Sequence, residues 1–288
     1  MAVDTFIPEV WNAQLLTQLS TAYVFGQPGV INRNYEGDIA NFGDTVHIGS
    51  LTRPTISSYV KNVTAINPQT LATTDQTLVI DQAKYFAFEV DDVDARQVRN
   101  AGGLLSTAAT EAAQGLASVA DTFLSGLAVA GAGTTLAPAG VATADAAFLV
   151  VRKLRVALDK ANVPASGRYL IVSPEFYALI LGDARFINAS SYGSAAPIRN
   201  GEVGSILGFA VMVSNTIPVG TAAVLPAVSN YIIAGHSMAL TFAEQINKTE
   251  AYRPESSFSD AIKGLHLYGA KVVRPEALAV QDVDVTVA

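Results

Sequence analysis

RYLIVSPEFYALIL, residues 168–181, carries the signals of a strand, a helix cap and a helix in immediate succession. Residues 169–173 form an apolar run of strand length, which predicts a buried strand. Ser173 then stands where an N-cap oxygen is needed. Pro174 suits the first helical position because its missing N–H would have no partner there, and Glu175 favours the positive end of a helix. A strand leading directly into a short helix is therefore predicted. Before it, residues 144–161 read as an amphipathic helix with Ala147, Val150, Val151, Leu154 and Leu158 inside and Arg152, Arg155 and Asp159 outside. Asn162 and Pro164 stop that helix. After it come a Ser/Ala/Asn loop (188–200), the segment 201–208, the strand FAVMVS (209–214) and a further strand at 231–234. These elements make a compact α+β unit.

Upstream, GAGTTLAPAG (131–140) reads as a loose link. Leu105, Ala109, Ala112, Leu116, Val119, Phe123 and Leu127 recur in steps of three and four, predicting a helix over 92–128, about 50 Å long. Asp91, Asp92 and Asp94 are read as its starting acids, and Gly102 and Gly103 as a bend or interruption. Its polar face is unusual. Between Asn100 and Ala144 the only charges are Glu111 and Asp121.

Further upstream the period changes to two. Val46 and Ile48 alternate with Thr45 and His47, and Phe86, Phe88 and Val90 with Tyr85, Ala87 and Glu89. Two long strands are expected to form a hairpin whose tip is the polar KNVTAINPQTLATTDQ (61–76). A ribbon of this kind is marginal alone and needs a neighbour. At the start, Trp11, Leu15, Leu16, Leu19 and Tyr23 recur at helical spacing behind Pro8. The segment from Gly26 to Gly37 is then irregular, an arm with no core of its own. Downstream, LTFAEQI (240–246) and LHLYGAKVV (265–273) are expected to form a second sheet with the hairpin or the long helix.

Composition bounds what such a chain does. There is no Cys in the 288 residues, which excludes disulfides, thiolate nucleophiles and thiolate metal sites. Charged residues are 15% of the chain, against about 25% in ordinary soluble domains, which suggests that large subunit interfaces cover uncharged surface. No run approaches the ~18 apolar residues of a membrane span, and the start carries acids where a signal peptide carries bases, so a soluble protein made in the cytoplasm, with no membrane partner, is expected. The net charge of -7 argues against tight non-specific binding of nucleic acid.

Arm, long hairpin, long helix, α+β unit and closing β segment follow one another in an order that resembles the major capsid proteins of tailed bacteriophages, which share the Johnson fold with herpesvirus capsid floor domains and encapsulins. The strings FIPEVWNAQLL, RYLIVSPEFYALIL, GEVGSILGFAVMVSN and YGAKVVRPEAL resemble that family and together span nearly the whole chain. The resemblance implies an N-terminal arm at 1–43, an extended β-hairpin loop at 44–90, a spine helix and peripheral domain at 91–142, an axial domain at 143–230, and a return to the peripheral domain at 231–288. It also implies a subunit that self-assembles into pentamers and hexamers of an icosahedral virion shell, enclosing double-stranded DNA without reading its sequence. With nothing ahead of residue 1 to act as an internal scaffold, a separate scaffolding protein is expected, besides a portal and a decoration protein. Trp11, Leu15 and Tyr23 are the interface candidates on the arm, Tyr59, Lys61 and Asn62 those on the hairpin, and Asn188 and Tyr192 those facing the capsomer axis. Some family members link subunits through Lys and Asn; that chemistry is not carried over to Lys61, Asn62 or Lys84. Removing residues 1–25 is expected to leave the α+β unit folded and abolish shells.

Rival readings exist. Gly235-His236-Ser237-Met238-Ala239 resembles the G-x-S-x-G nucleophile elbow of serine hydrolases, but its fifth position is Ala, and His266 follows Asp260 too closely for the usual acid and histidine loops. A plain strand-end turn fits better. Helix-start acids describe the three aspartates better than a cation site, and His47, His236 and His266 fit no metal-ligand spacing. Gly201, Gly204 and Gly208 do not form a phosphate loop. Arg152, Lys153, Arg155 and Lys160 read as a solvated helix face, with an acidic neighbour or packaged DNA as the alternative. No catalytic, cofactor or metal residue is assigned, and no enzyme activity is expected. An encapsulin-like compartment and a tail or surface structural protein remain the structural alternatives.

Overall fold

Every residue of Arg168–Val172 is buried, and that strand lies inside a six-stranded sheet. The computed structural model describes residues 23–34, 43, 45–51, 54–62, 68–70, 73–91, 101–183, 205–220, 228–255 and 259–286. In chain order the elements are β1 (Thr45–Leu51), β2 (Thr73–Val79), β3 (Gln82–Asp91), α1 (Ala101–Ala130), β4 (Thr134–Val141), α2 (Ala144–Lys160), β5 (Arg168–Val172), α3 (Pro174–Leu181), β6 (Ser205–Ile206) and β7 (Phe209–Val213). They continue with β8 (Val228–His236), β9 (Leu240–Tyr252), β10 (Ser259–Val272), a 3-10 turn (Pro275–Ala277) and β11 (Leu278–Val285).

The six-stranded sheet has the order β4-β11-β8-β5-β7-β6, with β5 parallel to β7, β4 parallel to β11, and the other neighbours antiparallel. α2 covers it with the five predicted side chains, all buried, at roughly 1.5–3 kcal/mol for each large one. Thr143 caps α2, its hydroxyl accepting the Ala146 N–H at 3.3 Å. The left-handed backbone of Asn162 (φ 56°) ends it. Ser173 accepts the Phe176 N–H at 3.4 Å, as the cap signal predicts. Arg168 turns its guanidinium back onto the carbonyls of Val163 (2.6 Å) and Pro164 (2.8 Å) and onto Asp159 (2.7 Å), fastening the loop between α2 and β5.

The loose link expected at 131–140 is instead mostly strand. β4 is an edge of the large sheet, where Pro138 is tolerated because an edge residue can lack an N–H partner. Its Thr, Ala, Gly and Pro composition hides the strand, and β11 supplies the order by parallel pairing. The sheet thus draws β4 and β11 from outside 143–230, and the expected boundary between 230 and 231 falls within β8.

The second sheet, β3-β10-β9, is antiparallel and packs against α1. It corrects the hairpin. β1 pairs with β2, from Thr45↔Val79 to Leu51↔Thr73, whereas Phe86 and Phe88 lie in β3 opposite Gly264 and Ile262 of β10. The Phe86 ring occupies the space over Gly264 that a side chain there would fill. Alternation correctly fixed which face of each strand is apolar, but a period of two does not name the neighbouring strand. The hairpin root is also supported by its own chain: Val46, Ile48, Leu78 and Ile80 form a small core with Ala243 and Leu267.

α1 corrects the helix in two ways. Asp91 is the last residue of β3, so it does not begin the helix; Asp92 and Asp94 lie outside the described residues, and Gly102 and Gly103 fall in the first turn. The buried stripe is Ala113, Leu116, Ala117, Ala120, Asp121, Leu124, Ser125 and Ala128, while Val119 is 45% exposed. Of the expected stripe, Leu116 is buried and Phe123 and Leu127 pack against the core, whereas Val119 points outward and Ala113, Ala117, Ala120 and Ala128 widen the buried face.

Gly269 of β10 lies under the Val79 carbonyl and the Ile80 backbone, where a β-carbon would collide with main chain that cannot step aside. Gly269→Ala is expected to lower the unfolding free energy by about 1–3 kcal/mol, read from the urea midpoint. No change would mean that the hairpin root is not seated on β10.

Candidate assembly interface

Residues 23–34 lie against the rest of the chain, and a buried polar cluster holds them there. The Asp121 carboxylate, projecting from α1, accepts the backbone N–H groups of Val24 (2.7 Å), Phe25 (3.1 Å) and Gly26 (3.1 Å). Asn32 exchanges backbone hydrogen bonds with β9, donating to the Leu240 carbonyl (2.9 Å) and accepting from Phe242 (3.1 Å). Tyr23, Phe25, Val30 and Ile31 are all buried in the main core.

Glu244 of β9 gathers the charges. Its carboxylate accepts from the Tyr23 hydroxyl, from Arg33 (2.6 Å) and from His266 Nε2 of β10 (3.0 Å). The Arg33 guanidinium also lies over the rings of Tyr23 (5.4 Å) and Phe242 (5.3 Å). Burial pushes the Glu244 carboxyl up, but the His266 bond, the Arg33 charge and the Tyr23 hydroxyl outweigh it and hold the group below its ordinary value. Asp121 goes the other way. Burial dominates its three N–H donors and raises it from 3.8 to about 6. Burial, with Glu244 nearby, also raises the Tyr23 phenol, which therefore stays protonated.

The structure corrects the role of Tyr23. It is 1% exposed and bonded to Glu244 within its own chain, so it packs intramolecularly. A truncation through residue 25 would therefore cut into the core. Trp11 and Leu15 lie outside the described residues, as do Asn188 and Tyr192. Tyr59, Lys61 and Asn62 are all exposed, and Asn62 adopts left-handed backbone (φ 62°), which Asn tolerates better than most residues. Ile56 is 92%, Tyr59 64% and Val60 56% exposed, beyond the hairpin root. Ile56 lies ahead of the stretch from Tyr59 to Gln76 that the sequence singles out at the hairpin tip.

Ser237 follows β8 in a turn that leads into β9, a strand and not a helix, and the Met238 N–H donates to His236 Nδ1 at 3.2 Å. The strained strand-to-helix elbow is absent there.

A family model described as phage capsid protein matches residues 74–281. A solved chain from Mycobacterium phage Che8 is 32% identical, with 90% of each chain covered and a TM-score of 0.72. The capsid structure of cyanophage P-SCSP1u shares the fold at 16% identity, covering 87% of this chain and 85% of that one, with a TM-score of 0.66. A virus-like particle from Pyrococcus furiosus shares it at 14% identity, covering 97% and 100%, with a TM-score of 0.55. No curated protein matches the chain. The matched sequence model and the α+β arrangement of two sheets around one long helix agree: the chain belongs to the phage capsid protein family, as a shell-forming major capsid protein of the Johnson fold.

Proposed function

We propose that copies of this chain assemble as pentamers and hexamers into a closed icosahedral shell around double-stranded phage DNA. The observation that carries this is the hairpin, whose root is buried in its own chain while the side chains of Ile56 and Tyr59 are exposed beyond it. Exposed apolar side chains on a projecting ribbon gain most of their stabilisation when a neighbouring subunit covers them. In this reading 1–43 is the arm, 44–90 the extended loop, 91–142 the spine and peripheral domain, 143–230 the axial domain and 231–288 the peripheral return. Tyr59, Lys61 and Asn62 reach an adjacent subunit, Trp11 and Leu15 lie along another, and Asn188 and Tyr192 face the capsomer axis. Assembly uses a separate scaffolding protein, a portal and a decoration protein, takes place after synthesis in the host cytoplasm, and involves no catalysis.

Electron microscopy of the expressed protein tests the proposal, because a shell and a free subunit differ by orders of magnitude in mass. Ile56→Ser/Tyr59→Ser and a truncation of residues 1–22, which spares Tyr23 and Phe25, are expected to keep the wild-type circular dichroism spectrum and form no shells. Normal particles from either would sink the corresponding contact. In infected cells the particles should contain DNA; a protein cargo in its place would favour the encapsulin-like compartment.

A further inference from the structure

A groove of about 570 Å³ runs between β4 and α2. Leu136, Val156 and Ala157 give it an apolar floor, and Arg152, Lys153 and Lys160 line it with cations. The helix carries two acids. Asp145 sits in its first turn, and Asp159 is engaged by Arg155 (3.6 Å) and Arg168 (2.7 Å). Among the described residues the three groove cations are in no ion pair, in a chain whose net charge is -7. Val156 is 46% exposed, so the floor is open to a ligand. The other wall is a sheet edge: among the described residues β4 pairs with β11 on one side only. Pro138 has no N–H, which leaves residues 134–137 as the stretch able to pair with an added strand.

We propose that this groove docks an acidic peptide segment of a separate protein, bound extended along β4 with its carboxylates against Arg152, Lys153 and Lys160 and its apolar side chains on Leu136 and Val156. Strand addition supplies backbone hydrogen bonds, and the side chains that an extended peptide turns toward α2 meet both the cations and Val156, which share that helix. Nucleic acid fits less well. Its phosphates satisfy the cations but leave the apolar floor and the strand edge uncovered. The site lies within one chain and stands independently of the shell geometry proposed above.

The test uses the unassembled full chain and a fluorescent twelve-residue peptide of Glu-Glu-Val-Val repeats, which shows both residue types on each face of an extended strand. At low salt the peptide is expected to bind, and to slow amide exchange at residues 134–137. Arg152→Gln/Lys153→Gln, both at exposed helix positions, should bind about tenfold more weakly, and Lys160→Gln several-fold more weakly, because charge-assisted contacts are lost. A Lys/Val peptide should not bind. Equal affinity of wild type and both variants, with circular dichroism unchanged, overturns the proposal. So does equally tight binding of a twelve-nucleotide DNA strand, which would make the groove a nucleic-acid site. Protection of 134–137 in assembled, peptide-free shells also overturns it, assigning the edge to a second copy.

Discussion

Glu244→Gln is expected to lower the unfolding free energy by roughly 3–5 kcal/mol, the range for removing one partner from a buried charge network. The amide keeps one carbonyl oxygen but places an NH₂ group against donors: Arg33 on one side, Tyr23 and His266 on the other. Arg33, over the Tyr23 and Phe242 rings, loses its 2.6 Å ion pair with Glu244. Because the folded carboxyl is held below its ordinary 4.5, its contribution is present above that value and is lost as pH falls through the lowered one. Urea unfolding at pH 7, followed by far-UV circular dichroism on the unassembled chain, measures the effect. A loss under about 1 kcal/mol would mean that the cluster behaves as a surface ion pair. Detachment of residues 23–34 should precede global unfolding in the variant, seen as faster amide exchange at Val24, Phe25 and Gly26.

Asp121→Ala has a comparable expected effect with the opposite pH dependence. Three backbone N–H groups lose their acceptor, and each buried donor left unsatisfied costs about 1–3 kcal/mol. The folded carboxyl of Asp121 is raised from 3.8 to about 6, so the stability linked to it is fully present below pH 3.8 and is lost as pH rises through about 6. That rise corresponds to a free energy on the order of 3 kcal/mol. The alanine variant lacks this term. Its deficit relative to wild type should therefore be largest at pH 4, at roughly 3–5 kcal/mol, and smaller at pH 7. Glu244 is present in both chains, so subtracting one from the other removes most of its own titration. A deficit that stays constant between pH 4 and pH 7 would show that Asp121 is not held in this raised state.

Much of this was legible along the chain, and some of it was not. Residues 144–181 were legible down to the buried face of α2 and the Ser173 cap of α3, because helix periodicity and capping act within a few residues; the Thr143 cap of α2 appears only in the structure. The scarcity of charge along α1, with Glu111 and Asp121 alone between Asn100 and Ala144, is visible in the sequence, but only the structure shows that Asp121 accepts the backbone N–H groups of Val24, Phe25 and Gly26. Nothing local, however, connects Tyr23 or Arg33 to Glu244, which lie 221 and 211 positions away. Tyr23 consequently read as a surface anchor for another subunit.

The sequence by itself determined the type of most elements, the inward faces of β1, β3 and α2, the absence of thiol chemistry, and a layout specific enough to point to the capsid family. Tertiary structure alone decided that β3 leaves the hairpin for β10, that 134–141 becomes a sheet edge, which face of α1 goes inside, and that the base of the arm is clamped by Asp121 and Glu244. The physical reason is range. Periodicity and caps are short-range free energies written in neighbouring residues, whereas strand partnership and buried polar satisfaction depend on which distant surfaces fit, and alternation or composition reads the same for several possible partners.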